Sequence, residues 1–149
     1  MSADQNKEIV KKYWLTFCTP NAQEAFDLMA DDATWHVMGT GGVAQTGPVS
    51  KEVFKSMMLL SGGSQHPDRK ADSMFPGGLT LSLKSIIAEG DHVVLEGESH
   101  STVANGNNYN NLYSIHFELK NGKIQTVREY MDTKHQFDAA SDVMHLAAD

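Results

Sequence analysis

Lys120-Asn121-Gly122-Lys123-Ile124-Gln125-Thr126-Val127-Arg128-Glu129-Tyr130-Met131-Asp132 is the stretch whose reading decides the fold of this chain. Asn-Gly signals a tight hairpin turn, and the residues after it alternate with the period of a strand. Successive strand side chains point to opposite faces, so Val127, Glu129 and Met131 share one side and Arg128, Tyr130 and Asp132 the other. An ionised carboxylate among apolar neighbours is costly, and such a residue shifts its pKa, finds a partner or does chemistry. Glu129 is therefore the first candidate for a catalytic acid or base. A register slipped by one residue would turn it into water instead.

Three more strands precede this one, over 79–88, 92–102 and 109–119, and the last strand runs over 123–133. The turns between them, Glu89-Gly90-Asp91-His92, Asn105-Gly106-Asn107 and Asn121-Gly122, are short, which predicts an antiparallel meander. Upstream the period changes. Ile9, Val10, Tyr13, Trp14 and Phe17 form one apolar helix stripe ending near Thr19-Pro20. A second helix, with Thr19 as its N-cap, carries Ala22, Ala25, Phe26 and Met29 inward and finishes at Asp31-Asp32. Residues 33–38 read as a strand closed by Gly39-Thr40-Gly41-Gly42, and Val53, Phe54, Met57 and Met58 mark a third helix. Residues 61–78 read as a long polar loop, the kind that serves as a binding lid or a disordered tip. Residues 134–146 read as a short helix or a loose cap. Helices followed by a meander make the chain α+β, and a curved sheet wrapped around those helices would enclose a cavity.

The chain has 149 residues, 40% of them hydrophobic, which suits one domain over 1–149. A net charge of -7 without a basic cluster argues against nucleic acid and against an anionic membrane surface. The single cysteine, Cys18, excludes an internal disulfide and reads as a buried, inert thiol. Residues 1–8 are polar and lack the apolar core of a secretion signal, and no segment is apolar enough to span a bilayer, so a cytoplasmic protein is expected. The seven histidines show no HExxH or other compact ligand spacing, so no metal is expected. Gly42-Val43-Ala44-Gln45-Thr46-Gly47 has P-loop glycine spacing, but Pro48 stands at the lysine position, and no G-x-S-x-G is present.

The element order, together with Asp31-Asp32-Ala33-Thr34-Trp35, Tyr109-Asn110-Asn111-Leu112-Tyr113 and Asn121-Gly122-Lys123-Ile124 followed by Arg128-Glu129-Tyr130-Met131-Asp132, resembles the SnoaL-like branch of the NTF2-like superfamily. That superfamily includes ketosteroid isomerase, polyketide cyclases, scytalone dehydratase and limonene-epoxide hydrolase. The resemblance covers nearly the whole chain and implies a cystatin-like cone, with N-terminal helices held in a curved, mainly antiparallel sheet. It does not select a reaction, because this scaffold hosts several chemistries and non-catalytic binding domains. Matched to ketosteroid isomerase, Tyr13 would supply a phenol donor, but Val37 and Ile115 replace its two carboxyls. Matched to limonene-epoxide hydrolase, Glu129 falls on a last-strand Asp and Glu98 on a second carboxylate, while Glu96 replaces the Arg. A homodimer through the sheet face is also implied, with His36 and His116 on the outer parity.

Two parities compete on the strand over 92–102: Glu96, Glu98 and His100 on one side, Leu95, Gly97 and Ser99 on the other. With the acidic set inward, Glu98 would be the partner of Glu129, one carboxyl protonated and the other ionised. The outer face is the alternative, and for His100 the favoured one. Tyr109, Asn111, Tyr113, Ile115 and Phe117 form one alternating face; the first three read either as donors that orient a substrate carbonyl or as ordinary core groups. Trp35 reads as core or as a binding platform. The expectation is a cofactor-independent acid/base enzyme, isomerase, cyclase or hydratase, acting on a small hydrophobic molecule. Its catalytic residues would be Glu129, Glu98 and Tyr13, and its substrate-binding residues Asn111, Tyr113, Trp35, Tyr109 and His100. The alternatives are a non-catalytic ligand-binding or dimerisation domain of the same fold and an epoxide-hydrolase-like enzyme.

Overall fold

Ser2 opens the first helix with a reciprocal pair of hydrogen bonds: its Oγ accepts from Gln5 N at 3.1 Å, and its own N–H donates to Gln5 Oε1 at 2.8 Å. Two of the amide groups that every helix start leaves unpaired are satisfied in this way. In the computed structural model, which describes residues 1–148, this helix is α1 (Ala3–Thr16), followed by α2 (Ala22–Asp27), β1 (Met29–Val37), β2 (Val49–Ser50) and α3 (Lys51–Ser61). The strands β3 (Thr80–Glu89), β4 (His92–Thr102), β5 (Asn108–Tyr109), β6 (Leu112–Lys120) and β7 (Lys123–Met131) come next. The described chain closes with α4 (Thr133–Ala140) and a 3-10 segment (Ser141–Ala147). Among these residues no helix is long and apolar enough to cross a membrane.

The α+β expectation holds, with differences that have physical causes. The second helix stops at Asp27 rather than at Asp31-Asp32, because Met29 already pairs with Ile124 in the sheet. Thr19 does not cap it: the Thr19 hydroxyl donates to Thr16 O at 2.7 Å, and Asn21 holds the cap position without a side-chain bond. The strand expected over 109–119 is broken into β5 and β6 by Asn110 and Asn111. The 61–78 loop is no loose tip. Ser64, His66, Ser73, Met74 and Phe75 are buried in it, and the Arg69 guanidinium donates to the carbonyls of Gly62, Phe75 and Pro76. The C-terminal cap is tied down as well, since Lys70 Nζ and Ser73 Oγ both donate to Leu146 O.

The sheet runs β2-β1-β7-β6-β4-β3, with β5 paired to β4, and its two end strands do not meet. The hairpins are antiparallel as the short turns predict, but β1 joins β7 in parallel, pairing Trp35 with Val127 and Val37 with Glu129. Register shifts interrupt β1, β3 and the β6–β7 pair, and such bulges increase local twist and bend. The sheet is accordingly curved, and α1 and α3 lie on its concave side. Trp14 anchors α1 there. Its indole Nε1 donates to Ser82 O at 2.9 Å, and its ring lies over Gly97 of β4, where any side chain would intrude. Tyr113, the register partner of Gly97, meets the same indole edge-on at 5.7 Å.

Gly97→Ala would place a Cβ 2.4 Å from the Trp14 ring and 3.0 Å from Ser82 O. Urea unfolding of this variant is expected to show a loss of about 1–3 kcal/mol from overpacking; an unchanged midpoint would mean that the indole is not seated on the strand.

Candidate active site

The concave side of the sheet encloses a cavity of about 370 Å³, within the size range of small-molecule sites. Its wall is largely apolar and comes from segments distant in the chain. Trp14 and Phe17 of α1, Trp35 and Val37 of β1, and Phe54, Met57 and Met58 of α3 form much of it. Met74 and Phe75 come from the 61–78 loop, Met131 from the end of β7, and Gln136, Met144 and Ala147 from the C-terminal cap. Five methionines among these residues suit a wall that can adjust to a ligand, because the thioether chain is flexible and polarisable.

Glu129 lines this cavity, and it is the one Asp, Glu, Lys, Arg or His side chain among the described lining residues. β7 turns it inward between Val127 and Met131, as the alternation predicts. Its neighbours across the sheet are Val37 on β1 and Ile115 on β6. The residue is 8% exposed. Burial raises its pKa from 4.5 to about 7, and the nearby Trp35 indole, which favours the charged form, offsets only part of that rise. Near neutral pH the carboxyl is thus poised to give or take a proton.

Tyr113 and Tyr109 line the same cavity. Tyr113 pairs with Met131 and is therefore a diagonal neighbour of Glu129 on the inner face. The two phenol oxygens are 2.9 Å apart, and Tyr113 OH also lies 2.9 Å from Ser99 Oγ. Burial pushes the Tyr109 phenol up to about 12, although its hydrogen bonds to Tyr113 and Asn111 pull the other way. Tyr113 is likewise raised, first by burial and then by the charges of Tyr109 and Glu129. Both remain protonated donors at any physiological pH.

The other sequence candidates fall elsewhere. Leu95, Gly97 and Ser99 take the inner face of β4, so Glu96, Glu98 and His100 point outward. Glu98 sits by Lys84 Nζ at 3.2 Å and His100 Nε2 at 3.5 Å, on the far side of the sheet from Glu129. A carboxyl pair of Glu98 with Glu129 is therefore not formed, and His100 does not reach the cavity. The cause is the pleat: once Gly97 faces the Trp14 ring, its odd-numbered neighbours must follow it inward. Tyr13 is buried behind the wall, stacked on Phe17 at 5.1 Å and edge-on to Phe117 at 5.5 Å, and is not among the lining residues. Its phenol is raised well above 10, by burial first and then by the charges of Glu129 and Cys18. Asn111 is inward as the parity expects but lies behind the phenols, with its Nδ2 donating to Tyr109 OH at 3.0 Å. Trp35 reaches the cavity, stacked obliquely on Phe54 at 4.5 Å.

Several lining groups carried no clear signal in the sequence. Gln45 belongs to the glycine-rich turn after β1, where its Oε1 accepts from Val37 N at 3.1 Å and its backbone N–H donates to Val37 O at 3.0 Å. Gln136 and Met144 come from the tail that reads only as a cap. Ser99 was legible as one of the two competing parities. Among the described residues no cluster of three or more His, Cys, Asp or Glu side chains is arranged to hold a metal.

No protein-family model matches the chain, and no curated protein matches it in sequence. Solved structures do match. Bal32a, from a soil-derived mobile gene cassette, superposes with a TM-score of 0.75 at 21% identity over 93% of this chain and 98% of its own. An NTF2-like protein from Burkholderia xenovorans LB400 gives 0.64 at 18% identity, over 94% and 98%. A protein assigned as a SnoaL-like polyketide cyclase, from Jannaschia sp. CCS1, gives 0.68 at 16% identity, over 93% of both chains. The chain has the NTF2-like fold, and the resemblance drawn from its motifs holds at the level of fold.

Because the folded carboxyl binds its proton more tightly than the unfolded one, stability falls as pH rises from about 4.5 to about 7. Glu129→Gln removes this dependence. Urea unfolding is expected to show the variant gaining on the natural protein across that window, by about 3 kcal/mol at pH 8 relative to pH 4. A difference that stays constant with pH would assign Glu129 an ordinary carboxyl pKa.

Proposed function

We propose that this chain is a cofactor-independent acid/base enzyme that moves a proton on a small, largely apolar molecule carrying a carbonyl group. The observation that carries this reading is a single carboxyl, with a pKa of about 7, in a largely apolar cavity beside a hydrogen-bonded pair of phenols. Glu129 as carboxylate would take a proton from the carbon next to the carbonyl, and the resulting acid would return it to another atom. A phenol of the Tyr109–Tyr113 pair would donate a hydrogen bond to the carbonyl oxygen as negative charge grows there. Trp35 and the methionines would hold the apolar body and exclude water, which strengthens both interactions. Isomerisation, cyclisation and hydration all contain such a transfer. Likeness in fold to a protein assigned as a polyketide cyclase supports a carbonyl-bearing substrate.

The same residues disfavour epoxide hydrolysis by paired carboxylates and an arginine, since no second carboxylate and no arginine is among the described lining residues. A non-catalytic binding domain would need the cavity but not the carboxyl. The expected homodimer belongs to this proposal as well. The outer sheet face exposes Leu112 and Tyr130, and Tyr130 meets His116 edge-on at 5.3 Å, apolar surface that a second copy would cover. Sedimentation equilibrium is expected to give twice the chain mass, and a monomer at all concentrations would remove this part.

Deuterium exchange separates an enzyme from a binder. With 2-acetylnaphthalene in deuterated buffer, the protein is expected to accelerate exchange of the methyl protons, followed by NMR, with a rate that rises through pH 7 and then levels. Glu129→Gln is expected to reduce that rate by about 100-fold or more while the ketone still binds. Binding without accelerated exchange would favour the non-catalytic reading.

A further inference from the structure

Asn111 is 1% exposed, and its side-chain amide is fixed in direction by two backbone groups. Its Oδ1 accepts from Leu112 N at 2.9 Å, and its Nδ2 donates to Asp132 O at 3.1 Å. Turning the amide over would set N–H against N–H at Leu112 and oxygen against oxygen at Asp132. The remaining Nδ2 hydrogen therefore points at Tyr109 OH, 3.0 Å away, with the Met131 sulfur at 3.4 Å as a weaker neighbour. The Tyr109 oxygen must accept there. Asn111 also reaches the other end of the cluster, where its backbone N–H donates to Ser99 Oγ at 3.3 Å.

Three hydroxyls then stand in a row, Tyr109, Tyr113 and Ser99, joined by two contacts of 2.9 Å. Three hydroxyl hydrogens serve two contacts, so one is left over. It is not on Ser99, which is fully buried and among the described residues has Tyr113 as its one hydroxyl-bond acceptor; a buried O–H left unspent is costlier than one that donates. Ser99 thus donates to Tyr113, and the spare hydrogen belongs to one of the two phenols that line the cavity. Among the described residues its one other acceptor is the Met131 thioether, 4.0 Å from Tyr109 OH, a weak partner that a ligand oxygen would readily replace.

We propose that Asn111 is a positioning residue that, by donating at both ends of the Ser99–Tyr113–Tyr109 row, makes the two phenols a net hydrogen-bond donor to a ligand oxygen. This rests on the reading that the phenols face a carbonyl. It adds that the polarity of the pair is set from behind by a residue that touches no ligand. An acceptor at position 111 would draw the Tyr109 hydroxyl backward and leave the cavity side of the row without its spare hydrogen.

The test compares 2-acetylnaphthalene with 2-ethylnaphthalene, two ligands of similar shape of which only the first carries an acceptor. The natural protein is expected to prefer the ketone and to lower its carbonyl stretching frequency in the infrared. Asn111→Asp presents an oxygen to Tyr109 whether it is ionised or protonated toward the Asp132 carbonyl. It is expected to cut the ketone preference by about tenfold, return the carbonyl frequency toward its unbonded value and leave 2-ethylnaphthalene binding unchanged. Asn111→Ala only withdraws the donor, is expected to cut the preference by about threefold, and decides the matter if the Asp variant does not fold. A preference that persists in these variants, or equal losses for both ligands, would overturn the positioning role while leaving the phenol reading intact. No ketone preference in the natural protein would overturn both.

Discussion

The parallel pairing of β1 with β7 is the constraint on which the rest of the structure depends. Without it β7 would be an edge strand, and Glu129 near its C-terminal end would have solvent on one side instead of Val37. With it, Trp35 and Val37 stand beside the carboxyl on one flank and Ile115 on the other, and the cost of ionising an acid in that setting lifts its pKa toward neutrality. The same pairing sets α3, which packs on β1, against the concavity and brings Phe54, Met57 and Met58 to the wall.

Polar groups in this interior are arranged in two ways. Glu129 stands alone among apolar neighbours, so its charge is expensive and its proton labile. Ser99, Asn111, Tyr109 and Tyr113 stand together and spend most of their bonds on one another, which holds them rigid, while burial keeps the protons on the two phenols. A labile acid beside a fixed donor is the combination that moving a proton next to a carbonyl requires. Both sit on strands rather than on mobile loops, and their spacing is held by the ladder of the sheet.

Much of this was readable in the chain. Alternation over Val127, Glu129 and Met131 placed the carboxyl inside, and the same rule placed Tyr109, Asn111 and Tyr113 on one face, because the pleat leaves a strand residue only two directions. On β4 the same rule was silent: an acidic set and a small set each filled one parity, and local pattern could not rank them. Trp14 ranked them. Its ring needs a residue without a side chain opposite, Gly97 is that residue, and Glu98 and His100 are thereby turned outward. Tyr13, which resemblance to an isomerase had put forward, is held between Phe17 and Phe117 by the packing of α1.

Sequence by itself determined the kinds of element, the antiparallel hairpins and the shared inner face of Tyr113, Ile115 and Phe117 on β6 and of Val127, Glu129 and Met131 on β7, since these follow from periods and turn chemistry within a few residues. Tertiary structure alone decided which strand lies beside β7, how the 61–78 loop and the C-terminal cap close the cavity, and which way the Asn111 amide points. Those choices depend on contacts between residues far apart in the chain, where a local period carries no information and only the meeting of surfaces selects the outcome.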